Sequence, residues 1–495
     1  MKKAGEGARL TGSAWGFCMH AFKSASELRH LLRIKKVTAR DLLEEYLARI
    51  DRYDVALNAI VWQDRTKARQ VADAIEPGDP RPLAGIPMTV KEAFDLTGSP
   101  TTFGVPELKN NIAKHDSVVV SRLRGAGANV FGKSNLPCNL GDLQSYNDIY
   151  GQTNNPWNVA RTPGGSSGGS AAALAAGLTG LEMGSDVGGS IRNPAHYCGV
   201  FGHKPTWSLA PTRGHGQPPG VLIEPDIAVV GPMARSAADL DLALDVVAGP
   251  DALASAVRYE LPTLDGRRLK DLRVAVWAND EMSPIGADAL AAVSAVAQAC
   301  KDAGAKVDDT ARPGFTSADS NAIYWGLTLS FSGAVVPELQ FEQLRADVRA
   351  LAADDKSTRA AMLRAQVLKH RDWVGLNNRR EGLRWAWHEF FKQFDVVIAP
   401  IAATAAFAHD HSPIEARTIL VDNQPRPYFE PLFWGSLFGV AYLPATAIPV
   451  TRNAEGLPLG VQIVGPAYGD RITIGVAQLL EDAGFRFSPP PGYAT

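Results

Sequence analysis

At 495 residues, with 45% hydrophobic and 21% charged side chains and a formal net charge of −2, the chain has the composition of a soluble globular protein with a large core. The near-neutral balance excludes a general electrostatic pull toward nucleic acid or anionic membrane, and no block of like charges is long enough to act as an interaction tail. Cys18, Cys138, Cys198 and Cys300 form no CxxC pair, which speaks against a zinc site or a disulfide framework and for buried, reduced thiols in the cytoplasm.

Met1-Lys2-Lys3 has the charge to open a signal peptide, but Trp15 to Phe22 is short and broken by Cys18 and His20, so no apolar core for one follows. Residues 1–23 read as an N-terminal extension and 24–490 as a single domain. Thr38-Ala39-Arg40-Asp41 caps a helix whose Leu42, Leu43, Tyr46, Leu47 and Ile50 recur on one face. Ile86 to Val90 is a short apolar run after Gly85, predicted as a buried strand that delivers Lys91 at its end. Ala128 to Phe131 reads as another strand. The cluster Pro163–Ser170 runs into Ala171–Ala176, a helix start whose small side chains permit close packing on a sheet. Leu178 to Met183 then leads to a second cluster, Gly184–Arg192. The run from Ala171 to Met183 is too short and too glycine-interrupted to span a bilayer.

Arg273 to Trp277, Phe394 to Ile401 and Leu459 to Val464 read as later strands. Strands alternating with helices indicate an α/β fold, here a mixed β-sheet core covered by helices. The range 252–394 is helix-rich and carries Trp325, Trp373, Trp385 and Trp387. No Gly/Ser linker separates it, so it reads as a substrate-covering region packed over the core.

The two glycine clusters place Ser166 and Ser190 24 residues apart, with Lys91 upstream. Attack on an amide needs an activated serine, a place for the oxyanion and a proton for the leaving nitrogen. Consecutive glycines in Val187-Gly188-Gly189-Ser190 let backbone N–H groups turn toward one point, with Ser190 as nucleophile beside them. Lys91 serves as base only when neutral. Lowering its pKa from about 10.4 to roughly 7.5 costs about 4 kcal/mol, which burial at a strand end can supply. Ser166 would bridge the two. Gly-Gly-Ser clusters also occur as linkers, but linkers rarely abut strong apolar segments as these do. No GxxxxGK[ST] run is present. Gly164-x-Ser166-x-Gly168 matches a nucleophile elbow, yet Arg161-Thr162-Pro163 is a poor strand end for one.

These clusters, the strand Gly85–Lys91 and the segment Pro458–Pro466 resemble the amidase signature family over nearly the whole chain, from about Ser24 to Gly484. The resemblance implies the single amidase signature fold and a cofactor-free hydrolase with a Ser–cis-Ser–Lys triad. Ser190 is implied as nucleophile, Ser166 as bridging serine after a cis Gly165–Ser166 bond, and Lys91 as base. Val187, Gly188, Gly189 and Ser190 match the oxyanion loop. Ser167, Asp186 and Arg192 fall on supporting positions, where a purely structural role is an equal alternative. After Gly202–Thr206, Trp207–His215 departs from the Gly-Arg-Val-Ser-like segment of many members, which sets the chain apart from the glutaminase subunits of tRNA amidotransferases. It is also similar to the metagenomic urethanases of this family, which cleave carbamates.

The expected function is hydrolysis of C–N bonds in amides and carbamates, with esterase side activity, through an acyl-enzyme on Ser190. The expected protein is a cytoplasmic monomer or homodimer that binds a small-molecule substrate, neither nucleic acid nor membrane, and no metal. Trp325, Phe331, Phe433, Trp434 and Phe438 are candidate pocket walls, with ordinary core packing as the alternative. Arg213 and His215 are candidates for the entrance, with a plain loop role as the alternative. Trp385 and Trp387 are two apart on a helix and share no face. Three rival readings stand beside this one. A glutaminase subunit handing ammonia to a partner is weakened by the absence of a tRNA-facing basic patch. A non-catalytic binding protein is weakened by the intact Lys91, Ser166 and Ser190. A histidine-dependent hydrolase would use His409 or His411, and His409-Asp410-His411 lacks a spaced third metal ligand.

Overall fold

The computed structural model describes residues 20–216, 221–355 and 357–494. Most of the expected N-terminal extension, with Cys18, therefore lies outside the described residues. Eleven strands hydrogen-bond into one sheet. Their spatial order is Ile60–Gln63, Asn129–Ser134, Pro87–Lys91, Glu182–Asp186, Val229–Ala234, Phe201–Lys204, Ala445–Arg452, Pro458–Val464, Val396–Pro400, Arg273–Val276 and Lys306–Asp308. Pro87–Lys91 runs parallel to both its neighbours, the middle of the sheet is antiparallel, and the last three strands are again parallel. The sheet is mixed, as the α/β reading expects.

Alternation of side chains divides the sheet into two faces. Met88 and Val90 join the main core with Val119, Val120 and Leu123 of helix Val118–Gly125 and Leu240 of helix Ala237–Val247. Phe131, Met233 and Ala447 meet the other side, where Gly168–Ala175 and Arg192–Cys198 pack. Thr89 and Lys91 share the pleat opposite to Val90, which sets Lys91 toward the helix that follows the first glycine cluster.

The N-terminal helix forms as its cap signal requires. Ala39–Leu57 begins at Thr38, whose hydroxyl accepts from the Asp41 N–H, and ends at Asn58 in a left-handed conformation. The predicted strands at 86–90, 128–131, 273–277, 394–401 and 459–464 all form, shifted by one to three residues. The range 252–394 contributes two strands at one edge of the sheet as well as helices. Only from Ser317–Ala334 to His370–Phe390 is it helical throughout. Among the described residues no helix is long and apolar enough to cross a membrane. Cys198 and Cys300 are buried free thiols, whereas Cys138 is exposed, a departure from the expected burial, because it opens a short helical turn on the surface.

The helical cover is anchored by one tryptophan. Trp387, fully buried on His370–Phe390, packs against Trp277 just after strand Arg273–Val276 and against Phe315, Phe390, Phe391 and Phe438, with centroids 5.4–6.2 Å away. Its indole N–H is buried with no acceptor among the described residues. Trp387→Ala is expected to destabilise the protein by about 3–5 kcal/mol. Trp387→Phe, which removes the unpaired donor and keeps a ring, should cost markedly less. Urea unfolding of the two variants against wild type measures the difference.

Candidate active site

Lys91 ends its strand with no exposed surface. Its Nζ donates to Ser166 Oγ at 2.6 Å, Ser167 Oγ at 3.0 Å and Ser185 Oγ at 3.1 Å. Hydroxyls surround the amine and no carboxylate touches it. Burial therefore lowers its pKa to about 7, against a smaller opposing pull from the charge of Asp186. Ser185 lies in the second cluster, yet sequence reasoning assigns it no role. Its position on the strand next to Pro87–Lys91 is what brings it to the amine.

The two glycine clusters interlock. Ser167 N–H donates to the Ser190 carbonyl at 3.1 Å, and Gly165 N–H donates to Asn193 Oδ1 at 3.3 Å. The Ser167 hydroxyl donates to the Ser185 carbonyl at 3.3 Å and accepts from Lys91. The Gly165–Ser166 bond is cis. Ser190 is half-buried, just before helix Arg192–Cys198.

Asp186 organises the turn before Ser190. Its carboxylate accepts from Gly189 N–H at 2.7 Å, Ile191 N–H at 3.1 Å, and Arg192 Nε and Nη2 at 3.0 and 2.8 Å. Both side chains of the Asp186–Arg192 pair are fully buried. Burial alone would raise the Asp186 pKa, but the charge and hydrogen bonds of Arg192 override it and hold the group at about 2. Arg192 continues to Gln462 Oε1 at 2.8 Å and the Gly435 carbonyl at 3.1 Å. Of the four residues expected to form an oxyanion loop, Gly189 has its N–H donated to Asp186. Val187, Gly188 and Ser190 are the amides with no acceptor among the described residues.

Two side chains that carry no sequence motif close over this turn. A methyl group added at Gly188 would lie 2.5 Å from the Tyr324 hydroxyl oxygen and 3.4 Å from Leu432 Cδ2. Gly188 has no positive φ, so the Tyr324 hydroxyl, and not backbone conformation, demands glycine there. Helix Leu432–Gly439 backs the turn, with Gly435 against the Gly188 carbonyl.

The candidate pocket residues divide. Trp325 stacks edge-on to Tyr324 at 5.3 Å and shares an apolar cluster with Val187, beside the turn. Phe331 is half-buried two turns further along that helix. Phe433, Trp434 and Phe438 belong to the main core. Trp434 Nε1 donates to the Ser283 carbonyl at 3.0 Å, and Phe438 packs on Trp277 and Trp387. Their helix is apolar nearly all round and buried, which makes it a core helix. Arg213 is ion-paired with Asp251 at 2.5 Å on the surface. His215 is buried, with its ring 4.2 Å from Phe94 and its Nε2 without a partner, so it is no loop-edge residue. Burial, reinforced by the charge of Lys91, pushes its pKa well below the usual imidazole range.

The histidine and metal readings find no support in this geometry. Lys91, and no histidine, touches Ser166, and the His411 ring lies on Tyr146 at 3.8 Å. Among the described residues no group of three or more His, Cys, Asp or Glu is placed to hold a metal ion.

Comparison with known proteins places the chain in a family. The amidase family profile matches residues 41–474. The acylamidase of Rhodococcus erythropolis is 31% identical, over 92% of this chain and 94% of that protein. A glutamyl-tRNA(Gln) amidotransferase subunit of Synechococcus sp. (strain RCC307) is 30% identical, over 91% and 95%. The structure of 6-aminohexanoate cyclic dimer hydrolase superposes with a TM-score of 0.78 at 26% identity, covering 96% of this chain and all of that one. A profile match over most of the length, together with relatives at this identity and coverage, shows that the chain belongs to the amidase signature family and is a hydrolase acting on amides.

Proposed function

We propose that the protein cleaves C–N bonds of small amides and carbamates, with esterase side activity, through a covalent intermediate on Ser190. The observation that carries this reading is the buried Lys91 amine, 2.6 Å from the Ser166 hydroxyl and without a carboxylate partner. A neutral amine has a lone pair to offer, so the Ser166–Lys91 contact reverses and Ser166 donates to Nζ. Ser190 attacks the substrate carbonyl, its proton moves to Ser166 Oγ, and the Ser166 proton moves to Lys91. The amides of Val187, Gly188 and Ser190 meet the oxyanion. On collapse the relay returns a proton to the leaving nitrogen, and water, deprotonated by the same relay, releases the acyl group.

Nothing in this reaction course requires carbon on the far side of the carbonyl. A carbamate losing its amine leaves an alkoxycarbonyl-serine. Hydrolysis gives a carbonate half-ester, which loses carbon dioxide and releases the alcohol. Tyr324 and Leu432 are the side chains that a group on the Cβ side of Gly188 would meet, neither is ionic, and the charges of Asp186 and Arg192 are spent on each other. Such surroundings suit an uncharged acyl group better than the α-ammonium and α-carboxylate of glutamine, which favours a free-standing amidase over a component of an amidotransferase. Ser167, Asp186 and Arg192 act in this reading by holding the triad and its turn.

Three measurements test the proposal. Wild type should turn over an aryl amide and the matched aryl carbamate, and Ser190→Ala should lose both by a factor of about 10⁴ or more. Carbamate turnover surviving in Ser190→Ala would place that chemistry elsewhere. The active base is the deprotonated lysine, so kcat/KM should fall as pH drops through about 7, the value to which burial brings Lys91. A profile flat from pH 5 to 9 would remove Lys91 from the role of base. Gly188→Ala should reduce kcat at least tenfold, and Gly188→Ala/Tyr324→Phe should recover toward the level of Tyr324→Phe alone, since the second change removes the oxygen that the new methyl strikes.

A further inference from the structure

The bridging serine is held from behind by a segment far away in sequence. The backbone of Asp142 and Gln144 occupies the space a side chain at Gly165 would need, with Gln144 O 2.6 Å and Gln144 N 2.9 Å from that position. Gly165 has no positive φ, so this close approach is what its missing side chain permits. One residue further, the Ser145 hydroxyl donates to the Gly164 carbonyl at 2.9 Å and accepts from Gly168 N–H at 3.1 Å. Residues 142–145 thus grip the chain on both sides of Ser166.

These residues are gripped in turn. Arg417 donates through Nη1 to Asp142 Oδ2, through Nη2 to the Tyr146 hydroxyl and through Nε to the Ser412 carbonyl, each at 2.6 Å. The Tyr428 hydroxyl donates to Asp142 Oδ1. Gln144 closes a reciprocal pair with the Asp410 backbone, accepting its N–H at 3.0 Å and donating to its carbonyl at 2.7 Å. The side chains of Arg417 and Asp142 are 3% and 7% exposed. A buried ion pair is costly to desolvate and a poor choice for stability alone, whereas it fixes geometry well. We propose that the Arg417–Asp142 pair, with Tyr428 and Gln144, is a positioning device for the bridging serine. Through it the strap 410–428 sets the Ser166 hydroxyl against Lys91. This inference rests on the serine–lysine reading of the site.

The test is a double-mutant cycle with 4-nitrophenyl acetate, an ester activated enough to report weak variants. Arg417→Ala in the wild-type background should lower kcat by about tenfold to a hundredfold with KM within about threefold, the scale of a small misplacement of a catalytic group. Arg417→Lys, which keeps the charge and loses the fork, and Tyr428→Phe should fall between these limits while remaining folded. In a Ser166→Ala background the same Arg417→Ala change should cost less than about twofold, because the group it positions is gone. An equal loss in both backgrounds, or no loss in either, overturns the proposal. Should Ser166→Ala be too slow to read, the split decides. A fall in kcat with KM and melting temperature retained in Tyr428→Phe supports positioning, and loss only in step with unfolding overturns it. Failure of the underlying reading shows separately, as turnover persisting in Ser190→Ala.

Discussion

The desolvation of one lysine is the constraint on which the site depends. Bringing Lys91 from its ordinary 10.5 to about 7 represents roughly 5 kcal/mol, at about 1.36 kcal/mol per unit. Only a large, finished core can hold an amine so far from water, and Lys91 sits between two parallel neighbours in an eleven-stranded sheet. The arrangement also has to keep negative charge away from the amine. Asp186 is the nearest carboxylate felt by Lys91, and it is fully engaged by Arg192 and by amides of its own turn. Had Asp186 paired with Lys91 directly, the ammonium form would have been favoured and the lowered pKa lost. The Asp186–Arg192 pair therefore shapes the turn before Ser190 and leaves the lysine to the serines.

The density of glycine around the serines has two distinct causes. Gly164 and Gly189 have φ of +89° and +123°, where a side chain is strained whatever the space. Gly165, Gly188 and Gly435 have ordinary φ and are glycine because another group already fills the Cβ position: the Asp142–Gln144 backbone, the Tyr324 hydroxyl and the Gly188 carbonyl. The second kind records tertiary contact. What reads in the sequence as a flexible stretch is in the structure a close-packed junction of two loops, two helices and a strand.

This explains what was legible in the sequence. Lys91, Ser166 and Ser190 stand in short linear patterns whose flanking apolar runs mark strand or helix, so the meeting of the Lys91 strand with the glycine clusters could be anticipated. Strands bounded by glycine or charge were equally plain. Val229–Ala234 and Ala445–Arg452 were not, since Pro232 and Pro449 interrupt runs that would otherwise read as interior strands. In the sheet Pro449 sits at a register shift, where one ladder bond is already lost. Phe201–Lys204 was hidden by His203 and Lys204, polar residues that are fully buried through bonds to Asp470 and to backbone carbonyls. Tyr324, Leu432, Asp142 and Arg417 carry no local pattern. Each reaches the site from a different segment, and only the folded topology brings them there. Phe433, Trp434 and Phe438 could not be told from pocket walls for the same reason: they are as apolar in sequence as any such wall, while their helix lies inside the core.

The division of labour follows from where each part is anchored. The amine, the serines and the turn before Ser190 are fixed by the sheet and by two short helices whose every residue is buried. What lies over the turn comes from Leu432 on Leu432–Gly439 and from the cover, through Tyr324 on Ser317–Ala334. Gly326 and Gly333 let that helix press against Leu376 and the Gln366 carbonyl. Farther out, Glu338–Ala350 has no buried residue at all. Structural constraint thus falls off from the sheet outward through the cover. In general one scaffold hosts many specificities, and a constraint that weakens away from the sheet leaves the outer cover free to vary without disturbing the packing of Tyr324 on Gly188.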